Sequence, residues 1–130
     1  MARRPDKPTP STIQRPLTHA IMDLHRALIQ AEAQATGLAG NPYKLLTAVM
    51  QDPRFAWLRS FSDLIVAMDE AADRGELPDR AALTPYLTTL KDLLGPGHDA
   101  GARIAELAPG HTEVSVGYRK IQLLLEEFGA

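Results

Sequence analysis

The chain has 130 residues, of which 45% are hydrophobic and 23% charged, and it contains no cysteine. This composition is typical of one globular domain and excludes a disordered chain, a disulfide framework and a cysteine-ligated zinc site. The formal net charge is -2, so no overall positive charge attracts nucleic acid or anionic membranes. No apolar run reaches the roughly 18 residues of a membrane span, and we expect a cytoplasmic protein.

The chain begins with a polar stretch. Residues 1–12 combine three prolines with several charges and show no apolar periodicity, which predicts a disordered arm. Residues 13–130 are predicted to form a single helical-bundle domain.

The first predicted helix follows the arm. From Leu17 to Ala35, apolar residues recur at spacings of three and four, which is typical of one buried stripe on a helix. Pro16 is expected in its first turn, and Gly37 is expected just past its end.

Cap-and-proline pairs mark the next two helices. Asn41-Pro42 predicts the start of a short second helix, and Asp52-Pro53 predicts both its end and the start of a third. The apolar residues of the second helix are Leu45, Leu46, Val49 and Met50. Those of the third helix, which Gly75 ends, are Trp57, Phe61, Leu64, Met68 and Ala71. Trp57 is expected in the core, because an aromatic residue at helical spacing usually packs there.

The last third of the chain is less regular. Thr84-Pro85 predicts the start of a fourth helix, which residues 79–83 could extend by one turn. The glycine-rich residues 97–110 predict a loose connection that contains a short helical piece. Thr112 is expected to cap a final helix with one inner stripe: Val114, Tyr118, Ile121, Leu125 and Phe128. The predicted fold is therefore an all-α bundle of about five helices.

A distinctive run opens the third helix. It reads Asp52-Pro53-Arg54-Phe55-Ala56-Trp57-Leu58-Arg59 and continues through Leu64-Ile65 to Asp69-Glu70. This stretch resembles an uncharacterised family of small bacterial all-helical proteins. The resemblance implies a bacterial cytosolic protein, and it brings no activity, catalytic residue or cofactor to this chain.

Histidine and aspartate occur close together in the first helix. His19 and Asp23 lie four residues apart and could share a metal ion, whereas His25 points about 120° away from His19. Two ligands do not make a metal site, so we expect these residues to form a solvated polar face. No catalytic residue, metal ligand or cofactor is predicted for the chain.

A second polar group lies near the glycine-rich connection. His98, Asp99 and His111 could supply acid and base groups there. Loop residues and residues of a first helical turn are the simpler interpretation, because acidic groups are favourable at a helix N-terminus. A small-molecule or metal-dependent activity seated near residues 97–113 is therefore kept as the alternative function.

The final helix carries a second apolar stripe, opposite the first. Val116 and Leu123 fall about 180–200° from Val114 around the helix. The predicted partner-binding residues are these two and the charged residues beside them, Arg119, Lys120, Glu126 and Glu127. The pattern resembles a short coiled-coil seam and predicts a surface for a protein partner or for a second copy in a symmetric homodimer. Alternatively, the helix passes through the middle of the bundle and buries both stripes within the chain.

The sequence therefore favours a noncatalytic helical module that binds protein or assembles with itself, in a process that it does not identify. An enzyme is not favoured, because no catalytic motif has the required spacing. A nucleic-acid regulator is disfavoured as well. The last connection is too long for a helix-turn-helix, and the final helix sets only Arg119 and Lys120 against three glutamates.

Overall fold

The computed structural model describes residues 10–77 and 79–128, with side chains from Gln14 onward. Within these ranges the chain forms helices and no β-strand, which confirms the predicted all-α fold. Six helices appear where about five are predicted: α1 (Pro10–Thr36), α2 (Pro42–Gln51), α3 (Arg59–Asp73), α4 (Arg80–Leu94), α5 (Asp99–Leu107) and α6 (Thr112–Glu127). Two 3₁₀ segments connect them, Pro53–Leu58 and Ala108–Gly110. None of the helices in these ranges combines the length and the apolar character needed to cross a membrane.

α1 is the central helix of the bundle. It packs against α3, α4, α5, α6 and the 3₁₀ segment Pro53–Leu58. Most of its buried apolar residues form one broad side that spans about 120° around the helix: Leu17, Ala20, Ile21, Leu24, Ala27, Leu28 and Ala31. Small residues allow the neighbouring helices to come close. A Cβ added to Gly117 of α6 would lie only 3.3 Å from Leu24 Cδ1.

α1 begins earlier than its proline predicts. Its first residue is Pro10, so residues 10–12, which the sequence assigns to the disordered arm, are helical. Pro16 lies inside the helix and not in its first turn. Residues 1–9, the remainder of the predicted arm, lie outside the described residues.

α4 begins before Thr84-Pro85, where the sequence places its start, and includes the extra turn that residues 79–83 were predicted to be able to add. The helix starts at Arg80, and the carboxylate of Asp79 caps it by accepting a 3.0 Å hydrogen bond from the backbone N–H of Ala82. Pro85 is the sixth residue of the helix and does not begin it. Its ring fits the helical φ and removes a single backbone hydrogen bond next to the first turn, whose N–H groups have no helical partner in any case.

The third predicted helix is divided in two. Residues Pro53–Leu58 form the 3₁₀ segment, and the α-helix begins only at Arg59. The predicted inner face of α3 is buried as expected at Phe61, Leu64, Met68 and Ala71. Trp57 is only partly buried, against the predicted core position, and its ring packs edge-on against Phe61 with centroids 6.4 Å apart.

Within the glycine-rich residues 97–110, Asp99–Leu107 form the helix α5, where the sequence predicts a loose connection that contains a short helical piece. His98 caps this helix, because its Nδ1 accepts a hydrogen bond of 3.1 Å from the backbone N–H of Ala100. Gly101 is buried where α5 crosses the end of α4. A Cβ at Gly101 would lie 2.7 Å from the carbonyl carbon of Gly95 and 2.9 Å from that of Leu94. Gly101 thus permits a close contact between two helices, although the glycine content of residues 97–110 predicts a loop.

α6 lies at the surface of the bundle. Its inner stripe packs as predicted, with Val114, Ile121 and Leu125 buried. Its outer stripe is exposed, by 62% at Val116 and by 48% at Leu123, so the helix does not bury both sides within the chain. Thr112 is the first helical residue and not the cap, since His111 holds the cap position and its side chain makes no capping hydrogen bond.

We predict that Gly101→Ala destabilises the fold by about 1 to 3 kcal/mol, the usual cost of forcing extra atoms into a packed site. The new Cβ would meet backbone atoms, which cannot rotate away. Gly97→Ala is the matched control, because a Cβ there has no atom within 4 Å. Denaturant titration of both variants measures the difference, and equal stabilities would contradict the close contact.

Candidate functional site

Two helices carry stripes of exposed large hydrophobic residues. The first stripe, named here the α2 face, consists of Tyr43, Leu46 and Met50, with exposures of 86%, 62% and 62%. At 100° per residue these three side chains fall within about 60° of each other. The second stripe is the outer surface of α6. The two stripes are the candidate functional site.

The α2 face is exposed because of the way α2 is attached. The helix begins at Pro42 and is capped by Asn41, whose Oδ1 accepts a 3.1 Å hydrogen bond from the backbone N–H of Lys44. It packs mainly against the 3₁₀ segment Pro53–Leu58. Ala48 is buried, and Leu45 and Val49 pack partly buried against the core. One side of the helix therefore packs against the core, and a second apolar side is exposed to solvent.

Sequence reasoning did not identify the α2 face. The prediction grouped Leu45, Leu46, Val49 and Met50 as one apolar set. The signal was nevertheless present, because Leu46 and Met50 share a side with Tyr43, whereas Leu45 and Val49 share a side with Ala48. A wheel drawn for this helix alone would have separated the inner side from the outer one.

A groove lies beside the α2 face. It encloses about 530 Å³ between α2, Leu38 and the start of the 3₁₀ segment, and Tyr43 forms part of its wall. At its far edge Arg54 forms an ion pair with Asp52, with 2.7 Å between Nη2 and Oδ2. Hydrogen bonds from Arg54 hold the pKa of Asp52 below its ordinary value. The groove is largely apolar, these two charges balance, and Lys44 adds a positive charge to its lining.

Two basic residues lie near the α2 face. Lys44 is exposed in the first turn of α2, but it points about 100° away from Tyr43 and lines the neighbouring groove. At the C-terminal end of α2, Nη2 of Arg59 donates a hydrogen bond to the backbone carbonyl of Met50. The α2 face is thus an apolar stripe with a cation, Arg59, beyond Met50.

The α6 face, defined by the six predicted partner-binding residues, has a different charge pattern. All six are exposed: Val116, Arg119, Lys120, Leu123, Glu126 and Glu127. The basic pair lies between the two apolar residues, and the glutamate pair lies beyond Leu123. Glu113, also exposed, lies one turn before Val116. The α6 face is therefore basic in the middle and acidic at both ends, and its role in binding a partner stays a prediction.

The sequence also did not indicate a buried carboxylate in α1. Glu32 is 3% exposed and joins three elements. Its Oε2 accepts a 2.9 Å hydrogen bond from Nε1 of Trp57 and one of 3.0 Å from Nε of Arg103 in α5. Nη2 of Arg103 donates to Oε1 at 2.6 Å. Burial by itself raises the pKa of Glu32, but these hydrogen bonds and the charge of Arg103 outweigh it and keep the pKa below 4.5.

The carboxylate of Glu32 is fully engaged within the protein. A groove of about 620 Å³ opens above it, with Asp99 and Glu106 on its rim. Both oxygens of Glu32 already accept hydrogen bonds, and Arg103 also lies 3.6 Å from a carboxylate oxygen of Glu106. The cluster therefore fastens α5 and the 3₁₀ segment to α1.

The histidines near α5 are not brought together. His98 is engaged as the cap of α5, and Asp99 follows it on the rim of the groove above Glu32. His111 lies beyond the other end of α5, which has nine residues and is about 13 Å long. A site near residues 97–113 that uses all three side chains finds no support in this arrangement.

In the first helix, only His19 and Asp23 share a side. His19 and Asp23 are exposed on α1, whereas His25 is partly buried. Burial lowers the pKa of His25, although a hydrogen bond with the backbone of Leu58 partly offsets this. Across residues 10–77 and 79–128, no three histidine, aspartate or glutamate side chains gather in a way that could hold a metal ion.

Comparison with known proteins adds no relative. No family model matches the chain, and neither a curated protein nor a solved structure is significantly similar to it. The resemblance of residues 52–70 to a bacterial family therefore stays a prediction. The features of the molecule that bear on its function are the α2 face and the α6 face.

We predict that Glu32→Gln lowers the free energy of unfolding by about 1 to 3 kcal/mol at pH 7, because Arg103 loses the anion that neutralises it. Glu106→Gln is the matched control: the same substitution removes an exposed carboxylate at the edge of the same arginine. That control should change stability by less than about 0.5 kcal/mol. Equal effects in urea titration would show that Glu32 does not hold the three elements together.

The contribution of Glu32 should also depend on pH. Its folded-state pKa lies below its unfolded value of 4.5, so the ionised carboxylate stabilises the fold above that pH. This stabilisation is lost as the pH falls through the folded-state pKa. The stability difference between wild type and Glu32→Gln should therefore be constant from pH 6 to 8 and shrink below about pH 4.5. Unfolding curves at pH 7 and pH 3.5 measure it, and a constant difference would contradict a depressed pKa.

Proposed function

We propose that this chain is a noncatalytic helical module that acts by binding protein, either another protein or a second copy of itself. The observation that carries the proposal is the α2 face, where Tyr43, Leu46 and Met50 are exposed side by side. Single exposed hydrophobic residues are ordinary on a protein surface, but a contiguous group is typical of an interaction site.

The free energy of burying apolar side chains also supports a binding role for the α2 face. Fully burying a side chain such as Leu or Met is worth about 1.5 to 3 kcal/mol, and the fold leaves this gain unused at Leu46 and Met50. Tyrosine and methionine are also enriched at protein interfaces, because they offer a large apolar surface with adaptable contacts. The core does not require Tyr43, Leu46 or Met50, since Leu45, Ala48 and Val49 already attach the helix.

The described geometry gives the alternative of a small-molecule or metal-dependent site less support. Such a site needs convergent polar groups in a concave pocket. His98 is occupied as a helix cap, and the carboxylate of Glu32 is paired with Arg103. The proposal also places the module in the cytoplasm, which fractionation of the native host can check.

The proposal predicts that Leu46→Glu weakens binding by at least tenfold while the chain stays folded. Its matched control is Val66→Glu, which places the same charge at an apolar position of α3 that is 52% exposed. Sedimentation of the purified chain tests self-association. Affinity capture from the native host, followed by titration of each purified candidate, tests other partners. Circular dichroism confirms that both variants are helical.

A supporting result is an interaction, with itself or with a purified partner, that Leu46→Glu weakens and Val66→Glu leaves unchanged. If purified wild type stays monomeric at millimolar concentration and no partner depends on Leu46, the proposal fails.

A further inference from the structure

The α2 face and the α6 face match in length. Tyr43 and Met50 are seven residues apart along α2, and Val116 and Leu123 are seven residues apart along α6. Seven residues of α-helix span about 10.5 Å, so both apolar residues of α6 can lie on the α2 face at once.

Their charges also match at one end. The α2 face has Arg59 beyond Met50. The α6 face has Glu113 at one end and the glutamate pair, Glu126 and Glu127, at the other. Because the α6 face is acidic at both of its ends, Arg59 meets a glutamate whether the two helices lie parallel or antiparallel. Facing groups of opposite charge favour the docked arrangement and select the partner.

The middle of the contact contains no repulsion. Arg119 and Lys120 lie between the two apolar residues of the α6 face, and they would meet Leu46 and Thr47 at the middle of the α2 face. Neither residue carries a charge. Long basic side chains can cover such a surface with their methylene groups while their charged ends stay in water.

A symmetric pairing of two α6 faces gives a poorer match between facing charges. If Val116 of one copy faces Leu123 of the other, Arg119 lies opposite Lys120, and Glu113 lies opposite Glu126. Like charges then meet at both of these positions, and Glu127 lies opposite the uncharged Thr112. A twofold axis at Leu123 would bring basic residues against glutamates, but it would leave Val116 without an apolar partner.

Building on the proposed function, we propose that the partner of the α2 face is the α6 face of a second copy of this chain. The two surfaces are different, so a pair of bound copies still has one free face of each kind, the α6 face on one copy and the α2 face on the other. Such a head-to-tail contact continues into a ring or a fibre and does not stop at a dimer.

A complementation experiment tests this pairing. Leu46→Glu spoils the α2 face and keeps the α6 face, whereas Leu123→Glu does the reverse. Each variant alone should be a monomer in sedimentation and light scattering. Mixed together, they should form a 1:1 heterodimer through the one intact pair of faces, with no larger species. Wild type should give masses that rise beyond the dimer as its concentration increases.

Other outcomes overturn the pairing and remain informative. If Leu46→Glu still forms homodimers, the contact uses α6 alone. If the mixture stays monomeric while another protein binds wild type and loses binding to Leu46→Glu, the self-pairing fails but the proposed function stands. If no protein binds, both fail. Should a glutamate variant lose its helical circular dichroism, Leu46→Gln and Leu123→Gln replace the pair with milder changes.

Discussion

The bundle depends on one broad buried side of α1, against which several elements pack at once. A helix in that position needs apolar residues along that side, small residues where neighbours come closest, and a partner for every polar group that is buried. α1 meets the last requirement twice. Nε2 of Gln14 donates to Thr18 at 2.8 Å and to Asp69 of α3 at 3.0 Å. Glu32 receives its hydrogen bonds from two other elements, so the polar groups of α1 also select which elements pack beside it.

The sequence predicts those parts of the fold that local rules determine. The stripes of α1, α3 and α6 appear as predicted, because apolar spacing reports directly which side of a helix is buried. The wrong predictions concern residues that are compatible with two different local structures. Pro16 and Pro85 are compatible with a helix start and with a position near one. Gly101 is compatible with a loop and with a close helix contact, and only the neighbouring backbone at Gly95 decides between them.

The candidate site likewise contains one part that local spacing predicts and other parts that it does not. The α6 face is predictable because its two stripes lie on one long helix with clear periodicity. The α2 face is harder to predict, because a helix of ten residues contains few repeats from which to separate two apolar sides. Glu32 follows Leu28 by one turn and so lies on the buried side of α1, which marks it as unusual. Its partner Arg103 is 71 positions away, and no spacing rule connects them.

The way α2 is anchored affects what docking on it would cost. Pro42 fixes the backbone where the helix begins, and Pro53 confines the preceding Asp52 to an extended conformation, with φ -79° and ψ 127°. The backbone N–H of Asp52 donates a hydrogen bond to the carbonyl of Ala48 at the end of α2. The carboxylate of Asp52 caps the 3₁₀ segment that follows. A short helix held at both ends loses little conformational entropy when its outer surface is covered. More of the contact energy then remains as affinity, and even a three-residue apolar stripe can bind usefully.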